Sequence, residues 1–290
     1  MTVQMQPQVT RDLRLAARQN LLPARGSGWL AGFGNMFAKE MGEWFQTRRW
    51  LWQLLIWLTI INGFVGIILF VLPILESFTP GINSAMEKPF EGFPAGTMAL
   101  THYFTIAVLT GTIGMIILAQ DEIIQEKQSG TAAWILSKPV ARPAFILTKL
   151  MSNITGGLVF IVALPALVTL GEIYLDIHQV VSLVPFLAGV GVFMLGLFFY
   201  LSLAILLGVL FQSRGPVMGI PFAILLGGGL ISSFIPQIAY VLPATMDKIA
   251  QSIVLGYPLP AMFVSQIVSA AVLSIVFILA ALWRFQRIEL

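Results

Sequence analysis

Long unbroken apolar runs dominate this chain, where a soluble domain would alternate apolar and polar positions. A helix needs about 20 apolar residues to cross the hydrocarbon core of a bilayer. Six segments meet that length, at about 50–75, 98–119, 154–175, 182–211, 216–234 and 259–283. The fourth lies in a Val180–Phe211 run longer than a perpendicular crossing needs, so it tilts or projects into water. The expected fold is an all-α integral membrane protein with six transmembrane helices. Between the fifth and sixth spans, Ser233–Pro260 is apolar but interrupted by Pro236, Pro243, Gly256, Pro258 and Pro260, with Asp247 and Lys248 in its middle. Non-helical backbone at membrane depth survives only against protein or a wet cavity. The segment therefore reads either as a re-entrant or interfacial element on the outer face or as an ordinary surface loop.

Two shorter patterns flank the spans. Over Met36–Arg49, Phe37, Met41, Trp44 and Phe45 recur at helical spacing on one face. Lys39, Glu40, Glu43, Gln46 and Thr47 are expected on the other, with Lys39 and Glu43 forming an i,i+4 pair. Such a helix, ending in Arg48–Arg49, should lie in the membrane interface; the alternative is a plain continuation of the first span. The loop after the second span, about 120–150, opens with Gln120, Asp121, Glu122, Gln125, Glu126, Lys127 and Gln128. Ser129 or Thr131 can cap a short helix over Thr131–Ser137, which Pro139 stops. Pro143 suits the first turn of the next helix, and Phe145, Leu147 and Leu150 lead it to the third span. With Trp134, Ile135 and Leu136 exposed, the short helix would be a knob for a protein groove. Burial at about 1.5–3 kcal/mol per large apolar side chain is enough to transmit force between rigid bodies. Alternatively, the helix packs on the ends of its own spans.

Composition and charge sharpen this picture. Hydrophobic residues make up 58% of the 290 and charged residues 10%, against about 25% charged in soluble domains. The chain has no cysteine and two histidines, which excludes disulfides, thiol chemistry and a self-contained metal cluster; no metal and no cofactor are expected. With the N-terminus placed in the cytoplasm, inner segments hold 14 of the 16 Lys and Arg residues and outer segments only Lys88 and Lys248. That is the asymmetry of a chain whose N- and C-termini are both cytoplasmic. Trp50, Trp52 and Trp283 fall at inner boundaries and Tyr174 and Tyr240 at outer ones, as interfacial anchors. Residues 1–35 carry Arg11, Arg14, Arg18 and Arg25 without the apolar core of a signal peptide, and read as a basic cytoplasmic tail.

The spans are also informative for what they lack. No Asp, Glu, Lys or Arg lies well inside any of them, where each would cost about 2.5–3.5 kcal/mol. This weighs against a proton-coupled carrier, a voltage sensor, a charged-filter channel and an intramembrane hydrolase. His102, near the outer end of the second span, reads as structural. Of Asn62, Thr101, Thr105, Thr110, Asn153, Ser202, Ser232, Ser233, Gln237, Ser265 and Gln266, most are expected to bond between helices and a few could line a path. Gly189, Gly191, Gly196 and the Gly227–Gly229 run read as close-packing positions, with a flexible point in a moving helix as the alternative. No P-loop is present; the GSGWLAGFG run at 26–34 lacks its lysine and reads as a linker. The chain alone is not expected to be an enzyme.

The run Glu126-x-x-Ser129-Gly130-Thr131, then Leu136-Ser137-x-Pro139-Val140-x-Arg142, then Lys149 resembles the signature loop of ABC type-2 transporter permeases. The layout over 36–290 resembles that family too, leaving the 1–35 tail outside. The resemblance implies the membrane-spanning subunit of a prokaryotic exporter, multi-pass in the cell membrane. Its partners would be two cytosolic ATP-binding subunits, a second permease copy or paralogue and the lipid bilayer, with no nucleic acid. It implies that Glu126, Ser129, Gly130, Thr131, Trp134, Leu136, Pro139 and Arg142 form the coupling loop and that Gln212 and Arg214 make a second inner contact. Phe37, Met41, Trp44 and Phe45 would belong to the interfacial helix. A membrane assembly or anchoring subunit that uses the same ATPase without moving a solute fits the same residues. A stand-alone channel or carrier would instead show flux with this chain only.

Overall fold

The structure is a computed structural model and describes residues 28–79, 95–120, 122–178 and 180–288. Most of the expected basic tail, and Lys88, lie outside the described residues. Helix α1 spans Phe33–Phe45 and α2 spans Arg49–Phe78. Then come α3, Ala95–Ala119, and two short helices, α4, Ile124–Gln128, and α5, Thr131–Leu136. They are followed by α6, Arg142–Ile177, α7, Leu183–Leu210, α8, Arg214–Phe234, α9, Met246–Leu255, and α10, Phe263–Phe285. Six of these, α2, α3, α6, α7, α8 and α10, are long and apolar enough to cross a membrane, the build of a multi-pass membrane protein. No strand occurs among the described residues.

Helix α7 is the hub. It is apolar on all sides, the pattern of a helix surrounded by others, and 72% of its central window is buried against 17% for α8 and for α10. It packs on α3, α9 and α10. Elsewhere close approach depends on glycine. The Trp57 indole lies on Gly114, Trp44 on Gly156, Phe193 on Gly111 and the Met115 methyl on Gly157; a Cβ at any of these would overlap its neighbour. Gly189 meets Phe104, Val254 and the Ala250 carbonyl in the same way, whereas Gly191 and Gly229 face open space. Trp50, Trp52, Trp283, Tyr174 and Tyr240 are all exposed on the bundle surface.

Two spans contain widened π-helical turns, at Leu58–Asn62 and Ile67–Val71 in α2 and Leu158–Ala163 in α6. The buried Asn62 sits at this seam. Its amide donates to the Pro165 carbonyl at 3.0 Å and the Thr169 hydroxyl at 2.9 Å, with a Glu172 carboxylate oxygen at 3.4 Å. Asn62 and Gln266 bond between helices as expected. Thr101, Thr110, Asn153, Ser202, Ser232, Ser233 and Ser265 instead donate to carbonyls of their own helix, and Thr105 does so while also accepting from α9. The i−3 or i−4 carbonyl is simply the nearest acceptor a short polar side chain can reach.

The helix from Pro143 leads into the third span as the sequence reading has it, and the two form one helix, so Lys149 belongs to a crossing helix along with Glu172. Both lie toward its ends, because α6 is longer than a crossing requires, and Lys149 is neutralised by partners described below. Glu40 does not face water with Lys39 and Glu43: Met36, Glu40 and Trp44 form the buried stripe of α1, which packs on α6. Segment 233–260 is a packed cap. After a 3-10 turn at Pro236–Tyr240, α9 buries Met246, Ile249, Ala250 and Ser252 against α3 and α7. Gln266 of α10 accepts from the Thr245 hydroxyl at 2.7 Å and donates to the Ala239 carbonyl at 2.8 Å. Gln251 of α9 donates to the Thr105 hydroxyl at 2.8 Å.

Replacing Gly114 with Val should displace the Trp57 indole and cost about 1–3 kcal/mol. Thermal unfolding in lipid nanodiscs, with the shift in tryptophan emission, measures it, and Gly191→Val, which meets open space, should leave both unchanged.

Candidate functional site

The polar face of the α3–α6 loop gathers side chains from most of the chain at one end of the bundle. Gly130 adopts φ 71°, a left-handed turn that a Cβ disfavours, and reverses the chain between α4 and α5. The Ser129 hydroxyl accepts from the Thr131 amide at 3.4 Å and lies 2.8 Å from the Thr131 hydroxyl, fastening the start of α5. Ala132 and Ile135 are buried and Leu136 packs against the core, so the helix is anchored through these three. Trp134 points away at 62% exposure, with the Lys138 ammonium 3.3 Å from its ring centre. Pro139 is exposed after the helix. Of the three apolar residues expected to protrude, Trp134 alone does; a six-residue helix cannot both anchor itself and present every apolar side chain.

Beneath α5 lies a cluster of opposite charges. Lys149 of α6, 2% exposed, is 3.1 Å from Glu126 and 3.3 Å from Glu40. Lys39 of α1 meets the same Glu126 oxygen at 3.2 Å, with Glu40 at 3.5 Å and Glu43 at 3.6 Å. Burial works against the Lys39 ammonium, but Glu126, Glu40 and Glu43 outweigh it and hold its pKa above the ordinary lysine value. Arg49, at the start of α2, faces Glu122 at 3.8 Å and stacks its guanidinium on Trp44, 4.3 Å from the ring centre. Trp44 in turn stacks on Phe160 of α6. The cluster thus joins α1, α2, α4 and α6.

Other polar groups of the loop grip helix ends. The last carbonyls of a helix lack partners within it and carry partial negative charge that favours a cation. Lys127 donates to the Gly208, Val209 and Phe211 carbonyls at 3.2, 3.2 and 2.9 Å, closing the C-terminus of α7. Arg142 does the same for α10, donating to the Phe285, Gln286 and Ile288 carbonyls at 3.3, 2.8 and 2.8 Å, below the stacked rings of Phe145 and Phe285. The Gln128 amide donates to the Gln212 carbonyl at 2.8 Å, so the two loops expected to make separate contacts are bonded to each other, just ahead of Arg214, which opens α8. The Ala141 amide donates to the Ala31 carbonyl at 2.9 Å, where left-handed Gly32 lies against Val140.

The sequence-derived site residues therefore divide. Glu126 and Arg142 are fasteners, Ser129, Gly130 and Thr131 shape the turn, Leu136 is an internal anchor, and Trp134 and Pro139 are presented outward. Of the interfacial set, Trp44 is buried in protein, Phe45 is exposed, and Phe37 and Met41 are half-buried. Lys39, Glu40, Arg49, Glu122 and Lys127 were not expected here. One signal was available. Glu122 and Glu126, an i,i+4 acid pair beside a lysine on the apolar approach to a span, imply that the charges neutralise one another, because an unpaired buried charge is not tolerated.

Lys149→Met should leave Glu40 and Glu126 short of counter-charge at a cost of about 3–5 kcal/mol, read as a lowered unfolding temperature in nanodiscs. Adding Glu40→Gln to the same chain should recover part of the loss, and full stability of the single variant would contradict the buried cluster.

No match to this chain was found among curated proteins. Residues 66–290 match the model of a family described as Protein of unknown function (DUF2705), a span that takes in five of the six crossing helices and the α3–α6 loop but not the α1 and α2 residues that meet it, and the chain belongs to that family.

Proposed function

We propose that this chain is the membrane-spanning permease subunit of an ABC transporter of type 2, working as an exporter in the cell membrane of a prokaryote. It pairs with a second permease copy or paralogue and takes its motion from two cytosolic ATP-binding subunits. The end of the bundle that carries the α3–α6 loop faces the cytoplasm, in keeping with the Lys and Arg asymmetry. The observation that carries the reading is the pairing of one exposed tryptophan with a base fastened to nearly everything around it. Trp134 stands on a short helix whose flanks hold the C-termini of α7 and α10 through Lys127 and Arg142 and the loop before α8 through Gln128. The same base holds α1 and α6 through Glu126. A displacement of α5 by a docked ATPase loads these elements together. The loop motif over Glu126–Arg142 and its place after the second span support the same assignment. The chain hydrolyses no ATP itself.

The test is capture of the tagged full chain from membranes of its source organism, followed by identification of P-loop ATPase subunits and assay of ATP hydrolysis by the complex. Trp134→Asp should lower ATPase binding about ten- to a hundredfold, the equivalent of losing about 1.5–3 kcal/mol of buried apolar side chain. Thermal stability should hold, since Trp134 is solvent-facing. Leu136 is left intact because its side chain packs inside the protein. Normal ATPase capture by Trp134→Asp would sink the assignment.

A further inference from the structure

About midway along the bundle, a cavity of about 190 Å³ lies between α3, α7, α8 and the α9 cap. Its wall is mixed. Val108, Leu225 and Met246 line its apolar sides, while Thr105, Thr112, Tyr200 and Asp247 contribute polar groups. Thr105 and Thr112 stand two turns apart on one face of α3, so the cavity runs about 10 Å along the helix axis.

Among the described residues, three of these polar groups have no side-chain hydrogen-bond partner. Thr112 is 1% exposed and Tyr200 2%; among the described residues neither hydroxyl is hydrogen-bonded, and both residues line the cavity. A hydroxyl that faces a cavity with no protein partner keeps its hydrogen-bonding capacity for whatever fills that space, which makes each a docking point for a polar atom of something bound. At the cap, Asp247 sits in the first turn of α9. The helix terminus explains why an acid is tolerated there, but no cation comes within ion-pair distance of it among the described residues. Burial raises its pKa; the amides of Asp247 and Lys248 and the charge of Lys248, which is itself exposed, offset this only in part. The pocket is therefore apolar along its length, with unmet donors at one end and an acid short of positive charge at the other.

We infer that this cavity is a binding site for an amphiphilic organic cation, whose ammonium sits against Asp247 and whose apolar body lies between α3, α7 and α8 toward Thr112 and Tyr200. Asp247 supplies the charge selection, because a neutral analogue leaves its carboxylate as unpaired as before. The hydroxyls hold the far end of the ligand. As a site for cargo this rests on the permease reading above; as a binding site it stands on the cavity alone.

The experiment uses the purified full chain in nanodiscs of zwitterionic lipid, without ATP-binding subunits, and a matched series of probes: 4-phenylbutylammonium, uncharged 4-phenylbutanol and anionic 4-phenylbutyrate. Calorimetric titration with empty-disc subtraction reads the affinities. The cation should bind at least tenfold more tightly than the alcohol, and the anion most weakly. Asp247→Asn, which keeps the shape of the first turn, should erase the preference for the cation and leave the alcohol unchanged. Ala244→Leu, which fills the cavity, should weaken cation and alcohol alike. Equal affinity for cation and alcohol, a preference that survives Asp247→Asn, or binding untouched by Ala244→Leu would each overturn the site. A failure here leaves the Trp134 result standing, and loss of ATPase capture leaves this one standing, so the two readings fall separately.

Discussion

The buried ammonium of Lys149 is the interaction on which the rest of this structure depends. A cation there has to be neutralised within the protein, since burial removes the water that would otherwise stabilise it. Glu40 comes from an amphipathic helix ahead of the first span and Glu126 from the loop after the second. Neither acid belongs at such depth without the lysine, and the lysine does not belong there without them. Meeting that mutual need draws α1 against α6 and seats the Trp44 ring on Gly156. The loop is held over the bundle in the one position that also sets Lys127 and Arg142 at the ends of α7 and α10.

Those two cations solve a second problem of the same kind. Long apolar helices end in carbonyls without partners in the helix, and at the rim of a bundle water reaches such groups unevenly. Using loop side chains to satisfy them gives each helix end a fixed neighbour. The consequence is structural: the loop is a plate to which several helices are pinned, and α5 stands on that plate with its tryptophan outward. At the other end of the bundle, Gln266 and Gln251 pin the α9 cap in a comparable way, through neutral amides.

Much of this was legible in the letters because it follows from local composition. The apolar runs announce the crossing helices, since length and hydropathy suffice to define them. Gly130 and Pro139 bracket α5 because glycine admits the left-handed turn that opens it and proline cannot continue a helix. What the letters hid were relationships at long range. Lys127 meets carbonyls 81 to 84 residues away, and a carbonyl looks the same in every sequence, so no residue type marks the partner. Glu40 reads as a water-facing acid on a helical wheel, and only the position of Lys149, 109 residues on, reverses that. The tight glycines, 111, 114, 156 and 157, are hidden for the same reason. A glycine inside an apolar run shows that something approaches closely without showing what, whereas the conspicuous Gly227–Gly229 run turns out to seat little. Asp247 looked like an interruption in a broken stretch, and its meaning appears only once three helices stand around it.

Lys127 and Arg142 also carry a consequence for how such a chain is made. Basic residues flanking a span are counted while the polypeptide enters the bilayer, before any helix has met another. In the orientation proposed above, the charges that steer insertion are also the charges that fasten the finished bundle. Orientation and assembly would then share one set of side chains, so a drift in either property would register in both.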